Sequence, residues 1–524
     1  MRRYVQLDLG KRPETENGDV EISLDDARLL VARDHGFESW RALVDYLAKL
    51  PAAKRMIAAT PVKLFTPGPD GADARAESTR DWGVAIEMMK ERRLTGVDAK
   101  GQLTDGVLER ISHLEDVTSL QSGGSKALTD AGVRHLARMP QLRHLDLSGT
   151  QVTDRGLEVL RELPALESIS LSWTGVTDAA VVHLRDCQHL QRVDLSGTNT
   201  GDGAIKALTE MSTLCHFRSG ALVTDAGLPL LHHFPVFKTW QGGEIALALL
   251  SADAAPNFLL LRGSFTDRGL GALAGLEGLF ALNVDDSNLQ VTAAGLAPLV
   301  TLPNLGMLAF GATDEAMPYI AAMPRLRALM CQDTIAGDDG FVALSRSQSI
   351  ENIRGRRCYN LRARGFTALA TMPSLRALSV SCKNVDDAAL STLPRFPVLR
   401  ELMPMDVPDA GYRHIGRCDR LESLILMYCR DTTDGATEHI TGLPALKKYF
   451  ASYTLITDRT PELLSGISSL EKVEFSACAG LTNIGIAALA RLPRLREVRL
   501  DSMPKVTPEI VAAFPAHVRV NYSL

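Results

Sequence analysis

Aromatic residues are scarce in this chain, at 5% of 524 residues. A single deep core draws much of its volume from Phe, Tyr and Trp, so many shallow layers of small aliphatic side chains are expected instead. A basic excess is also missing, since 57 Lys and Arg stand against 62 Asp and Glu. Phosphate backbones call for a basic face or stripe, so no nucleic-acid partner is expected. There is no apolar run of about 18 residues, the length of a membrane-spanning helix. The polar stretch 1–18 lacks the apolar core of a secretory leader, and a cytoplasmic location is the default expectation. The eight cysteines include no C-x-x-C pair, which argues for small buried residues in a reducing compartment. P-loop, G-x-G-x-x-G, G-x-S-x-G and H-E-x-x-H motifs are all absent. No catalytic residue, cofactor or metal site is therefore expected. The pair His232-His233 has no nearby Cys partner and points two ways on a helix, so it is a poor metal site.

What the chain does have is self-similarity. Residues 128–151 read LTDAGVRHLARMPQLRHLDLSGTQ, residues 152–175 read VTDRGLEVLRELPALESISLSWTG, and a third block of the same 24-residue length opens at Val176. Openings of this kind recur from Leu103 to Val506, about 17 periods with a mean near 24 residues. The interval from Val223 to Phe265 is roughly twice too long, and a degenerate unit, GGEIALALLSADAAPNFLLLRGS, is expected to fill it.

Each unit has two halves of different period. Leu142, Leu145 and Leu147 end in period-2 alternation, which predicts a short strand. The half T-D-x-G-L-x-x-L-x-x-L-P predicts a short helix, with Thr129 or Asp130 capping its N-terminus, Val133, Leu136 and Met139 on one face, and Pro140 ending it. The glycine of T-D-x-G recurs at positions such as Gly132, Gly156, Gly227 and Gly485. It costs roughly 0.5–1 kcal/mol of helix propensity, so a close approach of adjacent coils is the expected reason. A strand and a helix alternating at this period predict a coil with strands stacked in parallel on one face and helices on the other.

The frame L-x-x-L-x-L-x-x-[C/T/N]-x-x-[I/V/L]-T-D-x-G-L resembles the cysteine-containing subclass of leucine-rich repeats, known from F-box substrate receptors and from many bacterial proteins. The resemblance implies an α/β leucine-rich-repeat solenoid, with parallel strands on the concave face and short helices on the convex face. It also implies a structural role for the residue three places after the last strand aliphatic, which is Thr150, Thr174, Thr198 and Thr334 in some units and Cys358, Cys429 and Cys478 in others. That residue would turn the chain and bond backbone inside the coil.

Ahead of the repeats a polar tail, 1–21, precedes a small helical module at 22–50, in which Trp40, Leu43, Val44 and Leu47 share a helical face. Its A-R-x-x-G-F-x-S-W-x-x-L string resembles a module found ahead of ankyrin repeats in bacterial proteins. Pro, Gly, Ala and charge dominate 51–77, which reads as a linker. Residues 78–102 read as an N-terminal cap, 103–505 as the repeats and 506–524 as a C-terminal cap.

Strand residues between the aliphatics point away from the core. In early units these are Asp146, Ser148, Ser170, Ser172, Asp194 and Ser196. In the middle they are Arg354 and Arg356, and later Met403, Met405, Ile425, Met427 and Phe450, with Tyr428 just past its strand. Contiguous exposed apolar surface marks an interaction site, and methionine suits adaptable recognition. Trp173, beside its strand, is a further candidate anchor. These observations predict a non-catalytic scaffold that binds a protein partner on the concave face of the solenoid. The alternative implied by the repeat type is a substrate receptor of an SCF-type ubiquitin ligase, against which stands the lack of an F-box in residues 22–50.

Overall fold

The computed structural model describes residues 63–68, 71–75, 82–240, 242, 245, 255–284, 291–427 and 429–523, with backbone alone for 63–75. The helical module, the tail and Tyr428 lie outside the described residues. The chain divides into two compact units at residues 399 and 400.

The larger unit is a leucine-rich-repeat solenoid in which each strand pairs in parallel with the strand of the next repeat. The ladder passes Gly96–Asp98, Ser119–Gln121, His144–Asp146, Ser168–Ser170, Arg192–Asp194 and His216–Arg218. It continues through Phe258–Leu261, Ala281–Val284, Met307–Ala309, Ala328–Met330 and Asn352–Gly355 to Ala377–Ser381. At the other end Gly71–Arg75 joins in parallel and Lys63–Gly68 folds back on it antiparallel. This hairpin lies in the stretch whose composition reads as linker. Its antiparallel register, Lys63 opposite Arg75 and Phe65 opposite Asp73, is a contact between segments that composition alone does not show. The helix Trp82–Arg92 then leads into the first strand of the regular ladder, with Trp82 buried and its indole N–H donating to the Gln102 carbonyl.

The smaller unit repeats the design with strands Glu401–Met405, Ser423–Met427, Lys448–Ser452, Lys472–Ser476, Glu497–Asp501 and Arg519–Ser523, all parallel. The last two elements, Pro508–Ala513 and Arg519–Ser523, place Pro508 in the first helical turn.

Within one repeat every apolar position of the frame is buried. Leu128, Val133, Leu136, Met139, Leu142, Leu145 and Leu147 all fall inside, each contributing roughly 1.5–3 kcal/mol. Between repeats the connection is polar. Thr129 starts the helix at Asp130, its hydroxyl accepting from the Ala131 N–H. Asp130 does not cap its own helix but reaches into the next coil. Thr153 donates both its N–H (2.8 Å) and its hydroxyl (2.6 Å) to that carboxylate. Asp154 receives Thr177 and Asp458 receives Thr482 in the same way. The recurrent glycine is the consequence: a Cβ on Gly156 would stand 2.5 Å from Asp130 Oδ1.

The turn residues behave as the repeat type implies. Thr150 and Thr198 donate their hydroxyls to Leu147 and Leu195 carbonyls at 2.7 and 2.6 Å, and the Cys358 thiol points at the Gly355 carbonyl at 3.1 Å. All eight cysteines are free thiols, and seven of them are buried. Burial pushes the Cys187, Cys418 and Cys429 thiols up to about 12, the opposite of an activated thiolate.

Among the described residues the long interval after Val223 adds no further strand to the ladder, contrary to the sequence expectation of an extra unit. Strand His216–Arg218 pairs directly with Phe258–Leu261, and Thr266 donates its N–H to Asp225 across 41 residues as other coils do across 23. The surplus is an insertion within one repeat. Its alanine and leucine content imitates a helix period, but the next Thr-Asp partner lies at Thr266.

Candidate functional site

The two units present different strand faces, each set by the alternation of side chains along short parallel strands. In the smaller unit Leu402 pairs with Leu424, Leu424 with Tyr449 and Tyr449 with Val473, and these side chains fill the core. Their strand neighbours Met403, Ile425 and Phe450 turn to the other face, with Ile425 and Phe450 directly paired. Met403, Ile425, Met427 and Phe450 are half-buried. Met405, at 8% exposure, is almost wholly covered and offers a partner little surface. The row is bounded in sequence by charge. Phe450 pairs with Glu474 and Glu474 with Arg499, while Lys448, exposed, precedes Phe450 on the same face. Glu422 sits between Arg400 and Lys447, at 2.9 and 2.7 Å. The hydrogen bond from Lys447 is the main cause that holds its carboxyl below the usual range. Beyond the strand Lys448–Ser452, Tyr453 is exposed and takes a positive φ of 54°.

In the larger unit the candidate residues do not come together. Trp173 follows the strand Ser168–Ser170, whereas Arg354 lies in Asn352–Gly355 and Arg356 just after it. Arg354 is half-buried and pairs with Met330 on one side and Ser379 on the other. Arg357 of the same cluster pairs with Asp333. His232 hydrogen-bonds the Ala272 carbonyl at 2.7 Å. Among the described residues no three His, Cys, Asp or Glu gather to hold a metal ion, and no helix is long and apolar enough to cross a membrane.

One feature of the larger unit's strand face escapes the repeat frame. Phe258, Ala281, Met307 and Ala328 occupy one paired row on the face opposite the leucine core. They are buried nonetheless, in a second apolar cluster with Leu260 and Phe280. Trp240 and Ile245 of the insertion pack on it, Trp240 stacking on Phe280 at 5.2 Å between centroids. Arg327 fixes the insertion by donating to the Ile245 carbonyl, while its Nε bonds Glu351 at 2.6 Å. The sequence signal was the unbroken run F-L-L-L at 258–261. A strand covered on both faces loses polar alternation.

The leucine-rich-repeat family profile ("Leucine Rich repeat") matches residues 139–160. No curated protein matches the sequence. Among solved structures the chain is similar to an internalin of Listeria monocytogenes, at 16% identity and a TM-score of 0.29, covering 76% of this chain and 88% of that one. It is similar to a chain of the TLR13–ssRNA13 complex at 16% identity and a TM-score of 0.47, covering 79% of this chain and 62% of that one. It is also similar to a chain of the yeast Rad7–Elc1 complex at 11% identity and a TM-score of 0.38, covering 84% and 92%. A repeat that the family profile recognises at residues 139–160, set in coils that hand on strand pairs and Asp–Thr contacts from one to the next, gives this chain the fold of a leucine-rich-repeat solenoid.

Proposed function

We propose that the chain is a non-catalytic scaffold that binds a protein partner on the strand face, through Met403, Ile425, Met427 and Phe450 of the smaller unit. The observation that carries this reading is the pairing of Ile425 with Phe450, which sets apolar side chains on adjacent strands on the face turned away from the core. Adaptable methionines and aromatic rings are both enriched at protein interfaces. Tyr453, exposed just past the strand Lys448–Ser452, extends the surface. Met405 plays at most a supporting part, because it is buried.

The test is affinity capture with the full chain against the double variant Met427→Glu and Phe450→Glu, with thermal unfolding recorded for both. Loss of specific partners from a variant that still unfolds cooperatively is the expected result. Equal recovery of every partner by both proteins would remove the proposal.

A further inference from the structure

The larger unit's strand face changes character at Phe258. There Phe258, Ala281, Met307 and Ala328 form an apolar row on which Trp240 and Ile245 pack, while before it the ladder carries Asp146, Ser170, Asp194 and Arg218 side by side in register. The boundary is marked by His216 and Arg218, which lie against the Phe258 ring at 4.4 and 5.5 Å. Neighbouring positions of this polar row stand roughly 4.8 Å apart, the spacing of paired strands.

Both carboxylates are held in place through one oxygen. Asp146 Oδ1 accepts from the Ser148 N–H and Asp194 Oδ1 from the Ser196 N–H, each at 2.8 Å. The other Asp194 oxygen meets Arg218 only at 3.8 Å, a loose pair that leaves hydrogen-bonding capacity on the carboxylate. Ser196 is 7% exposed and its hydroxyl has no hydrogen-bond partner.

Trp173 adds a different kind of observation. It takes φ +58°, a conformation that the neighbouring coils give to Gly149 and Gly197 at the same place in the repeat. A glycine would serve the fold there better. The indole lies against the backbone of Gly197, where any Cβ would stand 2.6 Å from Cδ2, and the side chain is 68% exposed. Gly197 follows the strand Arg192–Asp194 that carries Asp194, so an aromatic plate with a solvent-facing side stands at the end of that strand.

We propose that this face, with Trp173 as platform and Asp146, Asp194 and Arg218 as polar partners, binds a neutral oligosaccharide. A sugar hydroxyl both donates and accepts, which matches carboxylates, a serine hydroxyl and a guanidinium in one row. The apolar face of a pyranose stacks on an indole, whose amphipathic ring suits such a ligand. A protein partner would look for several apolar anchors, and among the described strand residues from Gly96 to Arg218 no large apolar side chain is exposed. A cationic peptide would meet Arg218 beside the second carboxylate. This site lies in the other unit from the Met403–Phe450 row and does not rest on it.

The experiment is calorimetric titration of the full chain with maltohexaose, cellohexaose and chitohexaose, each to about 5 mM, with poly-lysine as the competing class. Saturable binding of at least one sugar is expected, weakened about tenfold or more by Trp173→Gly and by Asp146→Asn and unchanged by Phe450→Glu. Trp173→Gly installs the residue that adjacent coils carry, so an unaltered unfolding midpoint separates lost binding from lost fold. No binding by any sugar, or sugar binding that Trp173→Gly leaves intact, overturns the proposal. Binding of poly-lysine alone does so too, and reassigns the face to a cationic peptide.

Discussion

Asp130 shows how one residue type can serve two coils at once. Its backbone opens one helix while its carboxylate takes the N–H and hydroxyl of Thr153 in the next. Gly156 is glycine because that carboxylate occupies the place of a Cβ. The two residues are therefore coupled, and a double-mutant cycle should show it. Asp130→Ala should cost about 1–2 kcal/mol in denaturant unfolding. Gly156→Ala should also destabilise, but much less in the Asp130→Ala background than alone. At Gly132 the same rescue should fail, since there a Cβ would stand 2.8 Å from the Asp105 Cα, which no side-chain truncation removes. Equal costs of Gly156→Ala in both backgrounds would contradict the coupling. Trp173 gives a second residue-level contrast. Replacement by Gly should leave stability within about 1 kcal/mol, while Trp173→Val should lower it, because a β-branched residue is poorly suited to a positive φ.

At the scale of elements, the insertion is joined to the repeat array by a few definable contacts. Trp240 stacks on Phe280, and removing the ring by Trp240→Ala should lower stability by about 1 kcal/mol or more and expose the Phe258–Met307 row. Increased binding of an apolar dye such as ANS reports that exposure, and unchanged dye binding would mean the insertion is held by other contacts. The insertion is also spanned by Asp225 and Thr266. The backbone N–H of Thr266 is the main cause that holds the Asp225 carboxyl below its ordinary 3.8. A carboxyl lowered on folding stabilises the folded chain above its unfolded value, and that contribution disappears as pH falls through the folded value. The stability difference between wild type and Asp225→Asn should therefore be constant near neutrality and shrink below about pH 4. A difference independent of pH down to acid unfolding would show that the carboxylate charge is not what matters.

Across the whole molecule the repeats interact with their sequence neighbours, so damage should stay local. Leu145 is buried in the strand His144–Asp146, which pairs with Ser119–Gln121 and Ser168–Ser170. Leu145→Ala should cost about 2–5 kcal/mol. Amide hydrogen exchange should rise in those three strands and remain unchanged in Glu497–Asp501 of the other unit. Uniform loss of protection along the chain would argue against nearest-neighbour behaviour.

The sequence by itself determined the solenoid. Period-2 aliphatics, a Thr-Asp helix start and a constant spacing leave one way to bury Leu142, Leu145 and Leu147, and all three are buried. It also pointed to the outward row of Met403, Ile425 and Phe450, because register follows alternation. What it could not supply were contacts between residues far apart in the chain. That Asp130 serves the next coil rather than its own, that Met405 is covered, and that Trp240 and Ile245 of the surplus after Val223 pack on the strand face are all of this kind. So is the contact of the Trp173 indole with the backbone of Gly197. A repeat pattern fixes what each coil does for itself and for an average neighbour. Only the tertiary structure decides where one coil departs from that average, because the departure is made by a side chain or segment whose partner lies a whole repeat or more away.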